Sequence, residues 1–261
     1  MGSSRWFGIT AKLLRSSCQK NTLFDNFLHT TPVRLKTTVK NLKGRKTSSQ
    51  QWLRRQLNDP YVVQSRLQQW RCRSAFKLME IDDKNHIFRQ GDVVIDCGAH
   101  PGSWSQVAVQ RVNATGEDSE AEVGFVIGID MAQTAPLSGA QIITGDFTLP
   151  DVQQKISKIL MGKQASVVLS DMAPRACGIK SLDHEIIVDL ARTALTFSHT
   201  VLKQGGHFVC KLWDGNETKA LEELMKTYFH TVKRMVPNAS RKESKELYLL
   251  GIGYSKKMDK S

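Results

Sequence analysis

The chain has 261 residues, of which 40% are hydrophobic, and this length suits one domain of ordinary size plus an extension. Its formal net charge of +12 is uneven, because residues 1–46 hold ten lysines and arginines against one acid, Asp25. The five cysteines form no C-x-x-C pair, which argues against a metal site and favours a reducing compartment. No apolar run approaches the length of a membrane span.

Residues 1–36 have the composition of a targeting segment. The stretch RWFGITAKLLRSS mixes basic and large apolar residues, with no acid before Asp25. This pattern is typical of a mitochondrial transit peptide and lacks the unbroken apolar core of a secretory signal. A disordered basic arm that binds RNA is the alternative that composition leaves open. Residues 37–50 predict a flexible basic linker.

A basic helical segment is predicted over residues 51–81, at the start of a domain that spans residues 51–256 and precedes a tail at 257–261. Apolar residues recur there at helical spacing, and Asp59-Pro60 is a helix start signal. Several arginines lie between the apolar positions, which indicates either an RNA-backbone contact or a solvated basic face. The candidate RNA-binding residues are Arg54, Arg55, Arg66, Arg71 and Arg73.

Strands and helices then alternate regularly. We predict strands at 93–97, 124–130, 140–145, 166–171 and 206–212, and a final pair near 231–237 and 246–254. Helices are predicted near 103–112, 150–161, 183–203 and 216–228. This alternation predicts an α/β fold with a mostly parallel seven-stranded sheet and helices on both faces. The final pair has no helix between its members, which indicates a hairpin with one antiparallel strand at or near the sheet edge.

A glycine-rich turn follows the first predicted strand in the stretch VVIDCGAHPGSW, which includes Asp96. Ligands of parallel sheets bind at the carboxyl ends of the strands, so a nucleotide-like cofactor site is expected here. The turn lacks the G-x-G-x-x-G spacing of NAD-binding proteins. A second acid, Asp130, ends the next strand and suits the ribose hydroxyls of S-adenosylmethionine. A tight turn without a ligand is the alternative.

Three charged residues lie where other predicted strands end, namely Asp146, Asp171 and Lys211. A lysine within an apolar strand is the least expected, because a buried ammonium must be paired or have its pKa lowered. A desolvated lysine beside other positive charge is what a general base near neutral pH requires. Lys77 and Glu246 are placed to join this group.

Five separated motifs, SAFKL, DCGAHPGSW, SDMAP, VCKLW and SRKESKELY, occur in an order that resembles the FtsJ/RrmJ ribose 2'-O-methyltransferases. The resemblance implies a Rossmann-like class I S-adenosylmethionine-dependent methyltransferase fold. It also implies a catalytic tetrad of Lys77, Asp171, Lys211 and Glu246, in which Lys211 is the proton acceptor. The implied contacts with S-adenosylmethionine are Pro101, Gly102, Ser103, Trp104, Asp130, Asp146, Phe147 and Asp171.

The stretches LKGR at 42–45 and SRKES at 240–244 resemble the mitochondrial branch of this family. That branch implies methylation of a uridine ribose in mitochondrial large-subunit rRNA, located in the matrix and linked to assembly of the large subunit. The implied partner is this rRNA or the pre-ribosomal subunit. A tRNA substrate, or an assembly factor whose catalysis is dispensable, remains open as an alternative.

Three positions depart from the family pattern, namely His100, Ser103 and Arg175. His100 is expected either to contact the methionine end of the cofactor or to be a tolerated change that points away from it. Arg175 is expected either to contact a phosphate or to be solvated.

Overall fold

The computed structural model describes residue 44 and residues 46–174, 177–241 and 244–255. The predicted transit peptide, the tail and Arg175 lie outside these residues, as does most of the predicted linker.

Seven strands form one sheet. They are β1 (Val93–Cys97), β2 (Phe125–Asp130), β3 (Ala140–Thr144), β4 (Ala165–Ser170), β5 (Leu202–Trp213), β6 (Phe229–Met235) and β7 (Glu246–Tyr254). Their spatial order is β3-β2-β1-β4-β5-β7-β6. The pairs from β3 to β5 are parallel, whereas β7 runs antiparallel to both of its neighbours. The predicted sheet with one antiparallel strand near its edge is therefore confirmed.

Helices cover both faces of the sheet. They are α1 (Thr47–Leu57), α2 (Pro60–Leu67), α3 (Ala75–Asn85), α4 (Ser103–Arg111), α5 (Pro150–Leu160), α6 (Lys180–Val201) and α7 (Thr218–Lys226). Neighbouring strand residues point to opposite faces, so Ile95 joins the core beneath α5, α6 and α7, and Val94 joins the core beneath α3 and α4. Each face thus buries an apolar layer of its own.

Several element boundaries differ from the prediction by a few residues, and the starts of α1 and β5 show the cause. Helix α1 begins at Thr47, inside the linker predicted for residues 37–50. The sequence did not predict this start, because the first turn of the helix is polar and carries no apolar periodicity. Strand β5 begins at Leu202, whereas its start was predicted near residue 206. The prediction missed residues 203–205 because they are exposed and show no alternation of apolar and polar residues. The predicted start of α2 is confirmed, because Asp59 accepts a hydrogen bond from the Tyr61 amide at 3.0 Å.

The loops at the carboxyl ends of the parallel strands are fixed to one another by main-chain hydrogen bonds. The amides of Gly98 and Ala99 donate to the Ile129 carbonyl at 2.8 and 3.0 Å, and the Asp171 amide donates to the Cys97 carbonyl at 3.2 Å. The loops that follow β1, β2 and β4 therefore lie together at one edge of the sheet. This is the edge at which the sequence predicted a cofactor site.

Candidate active site

A cavity of about 440 Å³ opens at the carboxyl edge of the sheet. This volume lies within the range of sites that bind small molecules and cofactors. The loops after β1, β2, β3 and β4 supply most of its walls. Its lining residues are Cys72, Ser74, Gly98, His100, Pro101, Ile129, Asp130, Met131, Gly145, Asp146, Phe147, Thr148, Asp171, Met172, Ala173, Leu190 and Lys211.

Five of the eight predicted cofactor residues line this cavity, namely Pro101, Asp130, Asp146, Phe147 and Asp171. The other three, Gly102, Ser103 and Trp104, are not among the lining residues and lie at the start of α4. Ser103 and Ser74 share a hydrogen bond of 2.7 Å, and the Trp104 indole donates to the Ser74 carbonyl at 2.9 Å. These two hydrogen bonds fix the start of α4, directly after the β1 loop, to Ser74.

Two of the three acids that line the cavity, Asp130 and Asp146, are already oriented by protein donors. Asp130 accepts the amides of Ala132 and His100 at 2.7 and 3.0 Å, one on each carboxylate oxygen. Asp146 accepts both the amide and the hydroxyl of Thr148 on its Oδ1 atom, at 2.9 and 2.7 Å. Fixed carboxylates are suitable acceptors for the hydroxyl and amino groups of an adenosyl ligand. The carboxylate acceptors of the cavity thus fit S-adenosylmethionine.

Gly98 is required by the close approach of two loops. Its φ is +82°, in the left-handed region that favours glycine. A Cβ atom at this position would lie 3.0 Å from the main-chain nitrogen and Cα of Met172. The glycine therefore lets the β1 loop pack directly against the loop after β4, which narrows this part of the cavity.

The two departures from the family pattern that can be described have different environments. His100 is exposed at the cavity, and its Nδ1 atom shares a 3.3 Å hydrogen bond with Thr134. Ser103 is buried, and its hydroxyl lies 3.0 Å from the Cys72 thiol. His100 thus helps to join the β1 and β2 loops, and Ser103 joins the β1 loop to the segment before α3.

The structure brings the predicted tetrad together as two ion pairs. Lys77 on α3 lies 2.5 Å from the Glu246 carboxylate, and Lys211 on β5 lies 2.9 Å from the Asp171 carboxylate. The Lys211 ammonium also donates to the main-chain carbonyl of Asp171. All four side chains are only 10–16% exposed. Pairing, one of the two alternatives expected for a buried lysine, is therefore what Lys211 shows.

Tyr248 lies between the two pairs and was not among the site residues predicted from the sequence. Its hydroxyl donates to the Asp171 carboxylate at 3.0 Å, and its ring centroid lies 5.9 Å from the Lys77 ammonium. Burial raises the pKa of Tyr248 well above its usual range, and the charges of Asp171 and Glu246 raise it further. Tyr248 is directly opposite Lys211 in the β5–β7 register. Its signal in the sequence was the spacing Glu-x-Tyr, which places both side chains on one face of a strand.

The five candidate RNA-binding arginines fall into two groups. Arg54, Arg55 and Arg66 are exposed on α1 and α2. Arg73 instead pairs with the Asp59 carboxylate and donates to the Ala239 carbonyl, and the Arg71 guanidinium donates to three carbonyl oxygens. The first three can meet an RNA backbone as they stand, whereas Arg71 and Arg73 are engaged by the protein itself.

Neither a metal-binding cluster nor a membrane-spanning helix occurs within the described ranges. No group of three or more histidine, cysteine, aspartate or glutamate side chains there could hold a metal ion. None of the helices in this part of the chain is both long and apolar enough to cross a bilayer.

Residues 70–254 match the model of the FtsJ-like methyltransferases, which covers all five motifs noted in the sequence. The chain belongs to this family. A Drosophila melanogaster protein named rRNA methyltransferase 2, mitochondrial, is 44% identical over 90% of this chain and 95% of its own length. The ribosomal RNA large subunit methyltransferase E of Gluconobacter oxydans is 41% identical over 97% of this chain and 92% of its own length.

A crystal structure of a Plasmodium falciparum ribosomal RNA methyltransferase has the same fold. It superposes with a TM-score of 0.62 at 28% identity and covers 71% of this chain and 98% of its own. The resemblance stated from the motifs and the class I methyltransferase fold that it implied are both confirmed.

Proposed function

We propose that this protein uses S-adenosylmethionine to methylate the ribose 2'-hydroxyl of a uridine in mitochondrial large-subunit rRNA. The observation that carries the proposal is the pair of lysine–carboxylate bridges, joined by Tyr248, at the edge of a cavity that fits an adenosyl ligand. Support for the substrate comes from the names of the Drosophila and Gluconobacter relatives, which are rRNA methyltransferases over nearly the whole chain.

The cofactor site uses residues from four loops of the sheet edge. Pro101 and the main chain near Gly98 would hold the methionine end of the cofactor, Asp130 would accept the ribose hydroxyls, and Asp146 and Phe147 would contact the base. Bound S-adenosylmethionine supplies a methyl group that its positive sulfur has already activated. The protein must therefore contribute mainly placement of the acceptor oxygen and removal of one proton.

Lys211 is the group that removes the proton of the ribose hydroxyl, a step in which its neutral amine accepts the proton and becomes the ammonium that Asp171 pairs with. Its amine is fixed by the Asp171 carboxylate at 2.9 Å and is almost excluded from water, so its position relative to the cavity is defined. The Tyr248 hydroxyl donates to the same carboxylate oxygen of Asp171, Oδ1, at 3.0 Å. Glu246 positions Lys77, whose ammonium lies 5.9 Å from the centroid of the Tyr248 ring and adds a second positive charge to this group of residues.

RNA binding is assigned to the exposed basic face of α1 and α2. Arg54, Arg55 and Arg66 contact backbone phosphates, and such contacts give affinity without sequence preference. The choice of one uridine then comes from the folded rRNA or the pre-ribosomal subunit. The protein acts in the mitochondrial matrix, which is supported by the leader composition and by the mitochondrial relative.

Ribose-methylation mapping of mitochondrial rRNA in cells with and without the protein tests the substrate. We expect loss of one 2'-O-methyl uridine in the large-subunit rRNA and its return when the wild-type chain is supplied. A methylation map that is unchanged, or a loss confined to tRNA, would refute the proposed substrate.

The K211A variant tests the assigned proton acceptor. We expect methyl transfer to fall by about 10²-fold or more, while calorimetry shows cofactor affinity close to wild type. Lys219→Ala, at an exposed position on α7, is the matched control and should keep full activity. Near-normal turnover of K211A would remove Lys211 from this role. If K211A still rescues large-subunit assembly in cells, then assembly depends on the protein and not on its catalysis.

A further inference from the structure

Arg71 joins two of the loops that form the cavity. Its Nη1 atom donates to the carbonyl of Pro101 at 3.0 Å and to that of Ala135 at 2.8 Å, and its Nη2 atom donates to the carbonyl of Pro136 at 2.6 Å. Pro101 belongs to the loop after β1, and the other two belong to the loop after β2, which also carries Met131 of the cavity wall. A single guanidinium therefore links both loops.

The main chain around Arg71 is fixed as firmly as its side chain. The Arg71 amide donates to the Gln106 side chain at 2.8 Å, and the same side chain donates to the Gln69 carbonyl at 3.2 Å. Gln106 belongs to α4, the helix that begins directly after the β1 loop. Two further residues of this segment, Cys72 and Ser74, line the cavity. Residues 69–74 thus lie beside the loop after β1 and the start of α4.

The loop after β1 is shaped around the arginine. Gly102 has a φ of +105°, and a Cβ atom at this position would collide with the Arg71 guanidinium. The planar guanidinium presents several donors in a fixed arrangement, which suits simultaneous hydrogen bonds to carbonyls of two different loops. A lysine ammonium has neither this reach nor this geometry.

We propose that Arg71 is a positioning residue for the cofactor site, which sets the separation of the β1 and β2 loops and thereby the affinity for S-adenosylmethionine. It is not a phosphate contact, although it lies in the basic segment that precedes α3. The inference rests on the proposed function, because it takes S-adenosylmethionine as the ligand of the cavity.

The test compares the full-length wild type with R71K, R71Q and R66Q. The last of these changes an arginine that is assigned to a phosphate contact. Calorimetry with S-adenosylmethionine and S-adenosylhomocysteine gives cofactor affinity, and the salt dependence of rRNA-fragment binding counts phosphate contacts. We expect R71Q to weaken cofactor affinity by about tenfold or more, as for the loss of one charge-assisted hydrogen bond, and R71K to weaken it as well. The salt slope of both should equal that of wild type. R66Q should keep cofactor affinity and lower the slope by about 0.7–0.9.

Wild-type cofactor affinity in R71Q, or a salt slope lowered by one phosphate contact, would overturn the inference. Thermal unfolding without ligand shows whether each variant folds, and if R71Q does not fold then R71K decides, since wild-type affinity in folded R71K would also overturn it. Failure of the wild type itself to bind either ligand would instead refute the proposed function.

Discussion

Replacement of Asp96 by asparagine would measure how strongly a charge beneath the cavity opposes folding. Asp96 lies in β1 and is completely buried. One carboxylate oxygen accepts the Ser105 hydroxyl at 2.7 Å, and the other has no hydrogen-bond partner among the described residues. Burial raises the pKa of Asp96 to about 7, against the lowering effect of Ser105 and with an added rise from the charges of Asp171 and Asp130.

The sign and size of the effect follow from this pKa. A carboxyl group whose pKa rises on folding destabilises the folded state once the pH exceeds its unfolded value of 3.8, and the penalty stops growing above about 7. The penalty is about 2 kcal/mol at pH 5 and about 4 kcal/mol at pH 8. Asparagine carries no charge at either pH. The stability of D96N relative to wild type should therefore improve by about 2–3 kcal/mol between pH 5 and pH 8.

Urea unfolding of the cofactor-free proteins at both pH values is the assay. The unpaired amide of the asparagine costs about 1–3 kcal/mol, but this cost is the same at both pH values and cancels in the comparison. Asp189→Asn, at an exposed position on α6, is the matched control and should leave the pH dependence unchanged. If the difference between D96N and wild type were the same at pH 5 and pH 8, the reasoning about the buried charge would be refuted.

Two further substitutions test contacts around the site. We expect Tyr248→Phe to lower methyl transfer by about 10- to 100-fold at unchanged cofactor affinity, because Asp171 loses a buried donor; full turnover would show that this hydrogen bond does not position Lys211. We expect Asp59→Asn to lower the unfolding free energy by about 2–3 kcal/mol in urea denaturation, because the arginines Arg73 and Arg241 lose the carboxylate with which they pair; unchanged stability would contradict that role.

The sequence predicted the sheet well because most strands are short apolar runs bounded by turn residues. Strand β1 was predicted at 93–97 and β7 at 246–254, and both are found there. The predictions failed at polar ends of elements, such as the first turn of α1 at Thr47 and the exposed start of β5. Neither stretch has the periodic burial on which such predictions depend.

The candidate site was predictable in its membership but not in its pairing. The motifs grouped Lys77, Asp171, Lys211 and Glu246, yet which lysine meets which carboxylate depends on the register of the β4–β5 and β5–β7 pairs. The same limit explains Tyr248, which joins the site only because β7 places it opposite Lys211. It also explains Arg71, since local composition cannot distinguish an arginine that contacts solvent from one that binds carbonyl groups far along the chain.

The single antiparallel strand is what allows the two ion pairs to share one site. Glu246 begins β7 and lies opposite Trp213, the last residue of β5, so the amino end of β7 meets the carboxyl end of β5. A parallel β7 would carry Glu246 to the far edge of the sheet, about 25 Å away over its eight residue steps, because each step of a strand advances about 3.3 Å. Lys77 would then face Asp171 without its own carboxylate. The reversal of β7 therefore brings Glu246 to the edge of the sheet at which the cavity lies.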